Sequence, residues 1–221
     1  MKSNKREPTT YCPIFLNLQG KHCVVVGAGE VALRKIRMLL DCGAKVTVIS
    51  PTVRTEVSQL AKSGYVELRR RSYRTGDLKK AAVVISATNR RKINRAVVEE
   101  ARRPGILINV VDDPGRSDFI VPSFFRRGGL TIAISTSGIS PALARKIRMK
   151  LEADFGAEYV SVLNLVEQIR SQLKKKKVRV WAGTWQKALD LDRLIDLVRE
   201  GRTEEAKSML LRKLKADKKG N

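Results

Sequence analysis

The chain has 221 residues, 45 Lys and Arg against 22 Asp and Glu for a net charge of +23, and 43% hydrophobic but only 5% aromatic residues. That length buries a sizeable core and admits one large domain with one or two small ones. No apolar run approaches the roughly 18 residues of a membrane span, "MKSNKREPTT" lacks the apolar core of a secretory signal, and the few aromatics argue against a stacking surface.

Strand and helix patterns alternate through the first half, as in a parallel α/β sheet. Cys23–Val26 reads as a strand, followed by a helix from Glu30 to about Asp41 that packs Val31, Ile36, Leu39 and Leu40 and ends near Gly43. Further strands are expected at Lys45–Ile49, Tyr65–Leu68, Ala82–Ser86 and Ile106–Val111, with a helix over Arg91–Arg102 stopped by "RPG". Their nearly unbroken Val and Ile runs suit strands buried on both faces. Beyond Pro114, "SDFIVPSFFRRGGLTIAISTSG" predicts two antiparallel strands joined at "RRGG". "SPALARKIRMKLEADFG" opens a helix with Ser140 as N-cap and Pro141 at its first position, and Leu143, Ile147 and Leu151 line one face. From about Glu158 the pattern is helical, broken at Gly183–Thr184 and Gly201–Thr203. The fold class is therefore α/β: a Rossmann-like parallel sheet over residues 1–113, a strand–strand–helix module over 114–155 and a helical domain over 156–221.

Cys12, Cys23 and Cys42 form no CxxC pair and read as reduced, structural thiols of a cytoplasmic protein. His22 stands alone and precedes a core strand, so no dedicated metal site is expected. The basic runs Arg69–Arg71, Arg90–Lys92, Arg126–Arg127 and Lys174–Lys177 favour anionic partners. They come with no recognisable nucleic-acid motif, and each taken singly reads as a solvated face.

Three segments carry chemistry. In "CVVVGAGEVALRK", Gly27 permits a tight bend, Gly29 lets backbone approach a pyrophosphate and Ala32 fills the third small position. Free N–H groups at the helix start then favour phosphate. The usual ribose carboxylate is missing after the next strand. Ile49, Ser50, Pro51 and Thr52 stand there, with Arg54 able to meet a 2′-phosphate, so NAD and NADP both stay open. In "INVVDDPGRSDFIVP", Asp112 and Asp113 follow a strand whose end points into the ligand crevice. Proton transfer and turn-making compete for Asp112, while Asp113 before Pro114 favours the turn. In "ISTSGISPALARK", Ser135, Thr136, Ser137, Gly138 and the capped helix start at Ser140 suit anion capture, with Arg145 and Lys146 adding charge; an ordinary strand-to-helix cap is the competing reading.

Together "YCPIFLNLQGKHCVVVGAGEVALRK", "SATNRRKIN", "INVVDDP…SDFIVPS" and "TIAISTSGISPALARKIR" resemble the precorrin-2 dehydrogenase family, the oxidase/ferrochelatase part of siroheme synthase, from about Tyr11 to Leu151. With no methyltransferase domain following, the chain is similar to the stand-alone form. The resemblance implies oxidation of precorrin-2 to sirohydrochlorin with NAD+ and, in some members, insertion of Fe2+ to give siroheme. It also implies a cytoplasmic homodimer in which the middle module exchanges across the dimer, with no membrane and no specific nucleic-acid partner. By motif position Asp112 matches the family's essential aspartate, a general base. Glu30 and Val31 fall at the cofactor turn beside Gly27 and Gly29, Pro51 and Thr52 at the second NAD contact beside Ser50, and Thr88 in the matching "SATN" segment. Thr136 aligns with a substrate-site serine that some members phosphorylate, and Ser137, Gly138, Ser140 and Arg145 join it as expected substrate contacts. The substrate's eight carboxylates suit a basic cleft. Two alternatives remain: a chelatase without oxidation, and a non-enzymatic nucleotide-sensing or nucleic-acid-binding basic protein.

Overall fold

The computed structural model describes residues 10–216, and the chain divides into two compact units, 1–121 and 122–221. Residues 1–9, most of the basic N-terminal stretch read above, lie outside the described residues.

The first unit runs β1 (His22–Val26), α1 (Glu30–Asp41), β2 (Lys45–Ile49), α2 (Thr55–Lys62), β3 (Val66–Arg69), β4 (Val83–Ser86), α3 (Arg91–Arg102) and β5 (Leu107–Val110). All five strands are parallel, in the order β3-β2-β1-β4-β5. The order reverses between β1 and β4, where Val26 pairs with Ser86 on one side and with Ile49 on the other. Successive residues of β1 serve opposite faces. Cys23 and Val25 pack with Ile36, Leu39 and Val57 of α1 and α2, while Val24 and Val26 pack with Val97, Val98 and Ala101 of α3. This two-sided burial is the physical reason for the unbroken valine runs. Burial also pushes the Cys23 thiol up to about 11, leaving it an inert core side chain. The short α2 buries only Val57 and offers little periodicity to read in advance.

Between β3 and α3 the chain is fastened by two acids. The buried Asp77 carboxylate accepts from Arg71 at 2.6 and 2.7 Å, from Arg69 at 3.2 Å and from the Arg74 amide at 2.8 Å. Glu100 of α3 accepts from the Tyr73 hydroxyl and from the amides of Gly76 and Leu78 at 2.9 and 3.0 Å. Hydrogen bonding to Arg71 holds the Asp77 carboxyl below the usual carboxylate range. A depressed folded value stabilises the fold above the unfolded value, about 4, and the gain is lost as pH falls through the folded one. Asp77→Asn is therefore expected to cost about 2 kcal/mol at neutral pH, less than a fully buried pair because both guanidiniums are partly solvated. Urea titrations across pH check this: the gap between parent and variant should narrow below about pH 4.

The second unit begins with the hairpin β6 (Ser123–Arg127) and β7 (Leu130–Ile134), antiparallel as expected, with Phe125 opposite Ile132. Five helices follow: α4 (Pro141–Asp154), α5 (Ala157–Lys175), α6 (Ala182–Ala188), α7 (Leu191–Arg199) and α8 (Thr203–Ala216). Leu165 and Ile169 of α5, Leu194 of α7 and Leu210 and Leu214 of α8 form their core. The expected break at Gly183–Thr184 is not there. Both residues lie inside α6, Thr184 is buried, and the Trp181 ring occupies the space a Cβ on Gly183 would need. Packing there outweighs the roughly 1 kcal/mol helix penalty of one glycine. The break between these segments falls earlier, over residues 176–181 between α5 and α6, and a further one, not expected, lies at Leu189–Asp190, where the Asp190 carboxylate caps α7 by accepting from the Arg193 amide. On α4 the buried side chain is Ala144, whereas Leu143 and Ile147 remain 52% and 37% exposed. Among the described residues no helix is long and apolar enough to cross a membrane.

Candidate functional site

The candidate site of the first unit is built where β1, β2, β4 and β5 end. Gly27 bends the chain out of β1 with φ +116°, and its amide donates to the Ile49 carbonyl at 2.9 Å. A Cβ here would meet the Ala87 carbonyl, 2.8 Å from its carbon and nearer still to its oxygen. Glycine is thus required both by conformation and by the approach of the β4 end at the reversal point. Gly29 is the N-cap of α1, makes no side-chain cap, and has open space where a Cβ would stand. The first-turn amides of α1 have no partner within the helix, and the open space at Gly29 leaves room for a pyrophosphate beside them. This bend and open helix start fit a dinucleotide.

The loop after β2 docks onto that turn through the Arg54 amide, which donates to the Ala28 carbonyl at 3.3 Å. Ser50 is buried and its hydroxyl donates to the Thr52 carbonyl at 2.6 Å, so toward a ribose it can only accept. Pro51 and Thr52 form the exposed rim. Arg54, considered above for a 2′-phosphate, is held by Glu56 at 2.8 and 3.3 Å, and Glu30 adds a second negative charge nearby.

At the end of β4, Thr88 sits against the glycine turn and is locked by Asn94 of α3. The Thr88 hydroxyl donates to Asn94 Oδ1 at 2.7 Å and accepts from the Arg90 amide at 3.1 Å. Asn94 Nδ2 returns a bond to the Thr88 carbonyl at 3.0 Å, and Ser86 Oγ donates to Asn94 Oδ1 at 2.9 Å. Asn94 lies within "SATNRRKIN" but was not singled out by the sequence. One asparagine there ties strand end, loop and helix together.

The two aspartates after β5 part company. Asp113 turns toward Arg116 at 3.5 Å, and its carbonyl accepts from Ser117 Oγ at 2.9 Å. Asp112 holds a left-handed backbone, φ +59°, and its exposed carboxylate makes no hydrogen bond or ion pair among the described residues. Such a conformation in a non-glycine residue is uncommon and favours Asn or Asp when it occurs. The segment that follows is strapped along β5: Val110 N donates to Ser117 Oγ, Ile108 N to Asp118, and Asn109 Nδ2 to the Phe119 carbonyl, all at 2.9 to 3.0 Å. Lys35 of α1 is the charge that reaches Asp112. Partial burial pulls the Lys35 ammonium below its ordinary range, Arg34 adds to this, and the Asp112 carboxylate opposes it. Sequence reasoning missed Lys35, because a lysine on an amphipathic helix looks like any solvated cation.

In the second unit the expected anion loop is closed mostly on itself. The Ser140 amide donates to Thr136 Oγ1, which donates to the Ser140 carbonyl, both at 3.1 Å, and Ser140 Oγ accepts from the Leu143 amide at 3.2 Å. The hydroxyls of Thr136 and Ser140 thus shape the loop. Ser135, Ser137, Gly138, Arg145 and Lys146 are exposed, with Ser137 and Gly138 left-handed at φ +52° and +82°.

Comparison with known proteins adds to this geometry. A family described as NAD(P)-binding matches residues 14–123, and one described as sirohaem biosynthesis protein central matches 127–153. The siroheme synthase of Methylococcus capsulatus is 37% identical over 203 residues, covering 91% of this chain and 43% of its own. Siroheme synthase 1 of Aeromonas salmonicida is 40% identical over 186 residues, 83% of this chain and 40% of that one. The chain thus spans about two fifths of the length of these curated relatives. A solved structure titled SirC, precorrin-2 dehydrogenase, superposes with a TM-score of 0.70 at 24% identity, over 93% of this chain and 100% of that one, and so shares the fold.

Proposed function

The chain belongs to the siroheme synthase family, and on that premise we propose that it is an NAD+-dependent dehydrogenase converting precorrin-2 to sirohydrochlorin. One observation carries the reading: Asp112 presents a carboxylate with no hydrogen bond or ion pair among the described residues, just past the end of β5, on the same sheet edge as the glycine turn and two strands from it. Two strand spacings are about 10 Å, a span suited to a nicotinamide and the ring it oxidises.

Bound NAD+ supplies the hydride acceptor. The protein holds its pyrophosphate on the amides of Gly29, Glu30 and Val31 and fixes the β4 rim through Thr88 and Asn94. Hydride loss from a carbon must be matched by proton loss from the substrate, and Asp112 is the group placed to accept that proton. The Arg54–Glu56 pair and the charge of Glu30 disfavour an added 2′-phosphate, which supports NAD+ over NADP+. In the second unit, Ser137, Gly138 and Arg145 offer exposed donors of the kind that bind carboxylates. Fe2+ insertion, where it occurs, treats the metal as substrate, and its displaced pyrrole protons need a similar acceptor. The outward Leu143 and Ile147 on α4 support a homodimer. Three cysteines without a disulfide support a reducing compartment, the cytoplasm.

The test is anaerobic incubation of precorrin-2 with NAD+ or NADP+, with and without Fe2+. NADH and sirohydrochlorin should accumulate together, one for one, with NADP+ the poorer acceptor. Metal insertion into supplied sirohydrochlorin with no NADH from precorrin-2 would replace this reading with that of a chelatase.

A further inference from the structure

The helical part of the second unit contains a cavity of about 560 Å3 within that unit, where α5 ends and the connector to α6 turns back. Arg170, Lys174, Lys177 and Arg179 line it together with Leu173 and Trp185, and among the described residues no acidic side chain does. Arg170 stacks over the Trp185 ring, 5.7 Å from its centre. Among the described residues, none of the four cations has a carboxylate within ion-pair distance. Elsewhere in this unit arginines pair readily, Arg199 with Glu158 and Arg202 with Glu200 and Glu205.

A second, independent observation concerns the backbone. α5 ends in a left-handed cap: the Lys177 amide donates to the Lys174 carbonyl at 3.0 Å and the Val178 amide to the Leu173 carbonyl at 2.9 Å. The residue at the left-handed position is normally glycine, and here it is Lys177 at φ +53°. A strained lysine thus stands where glycine would be easier, and its side chain lines the cavity. Compensation of the helix C-terminus explains one or two basic residues in the last turn. It does not explain Arg170, more than a turn earlier, or Arg179 beyond the cap.

We infer that this cavity is a second anion site, separate from the dinucleotide site, which takes a small organic polyanion carrying several carboxylates or phosphates. Four unpaired cations give charge-assisted bonds to three or more acid groups, and Leu173 with the edge of Trp185 accepts an apolar body. The volume falls within the usual range for small-molecule pockets.

The chain has two tryptophans, Trp181 in the connector and Trp185 in the wall, so its intrinsic tryptophan fluorescence reports on this region whatever the enzyme activity. Benzenehexacarboxylate and inorganic tripolyphosphate are titrated in parallel against the full chain, to tell carboxylate from phosphate preference, with oligothymidylate as a third arm. At least one small probe should give a saturable change with micromolar midpoint. Lys177→Gly relieves the backbone, so its melting temperature should rise while its affinity falls about tenfold. Lys174→Ala combined with Arg179→Ala should abolish the response, with melting still cooperative. Three results would overturn the proposal: no saturation by either small probe, unchanged affinity in Lys177→Gly, or oligothymidylate binding more tightly than both with a steep salt dependence.

Discussion

Asp112→Asn is expected to slow NAD+-dependent oxidation of precorrin-2 by about 10²- to 10⁴-fold, the range by which a positioned general base accelerates such a step. The substitution is nearly isosteric, and asparagine tolerates the left-handed backbone at φ +59° at least as well as aspartate. Stability should therefore hold, and NAD+ affinity should stay within about twofold because the glycine turn and the Thr88–Asn94 lock are untouched. Asp113→Asn is the internal control. Its carboxylate faces Arg116 on the partly exposed surface, so its loss should leave turnover within about threefold of the parent. Single-turnover NADH formation under saturating NAD+ separates the two outcomes. Parent-like turnover in Asp112→Asn would remove this residue from proton transfer.

Gly27→Ala should act on a different quantity. The added methyl meets the Ala87 carbonyl and forces a positive φ on a residue with a Cβ, so either the turn or the end of β4 must move. Backbone strain of this kind costs on the order of 1–3 kcal/mol before the clash is counted. The expected result is a chain destabilised by about 3 kcal/mol whose NAD+ affinity falls at least about 100-fold. Gly29→Ala provides the contrast: its Cβ position is open and its φ of −80° is ordinary, so stability should hardly change. Denaturant titration and calorimetry with NAD+ on both variants check the pair.

These two glycines also show what the sequence made legible. Strand, bend and helix from β1 to β2 announce themselves because both faces of the strands are buried and every residue must be apolar. Asp112 is readable for a related reason, since a polar residue directly after a buried strand has to stand at the sheet's edge. Lys35 and Asn94 escaped because their roles come from partners 77 and six to eight residues away, Asp112 for one and Ser86 and Thr88 for the other. The break placed at Gly183 failed for a tertiary reason, as the Trp181 ring turns a weak helix residue into the one that fits. On α4 the spacing of Leu143, Ile147 and Leu151 correctly marked an apolar stripe, but periodicity does not say whether such a stripe faces inward or outward.

The pairing of β1 with β4 also sets an order in time. A chain emerging from the ribosome can assemble β1, β2 and β3 with their two helices as soon as Arg69 is available. The other edge of β1, Cys23–Val26, must then wait for Val83–Ser86 to arrive. During that interval a wholly apolar strand edge stands unpaired, the situation in which nascent sheets recruit the wrong neighbour. The binding turn itself is finished only when Ala87 closes against Gly27, so ligand cannot rescue the half-made sheet. Biosynthetic yield should therefore depend on how fast the segment from Arg70 to Ala82 is translated, a sensitivity that equilibrium stability would not reveal.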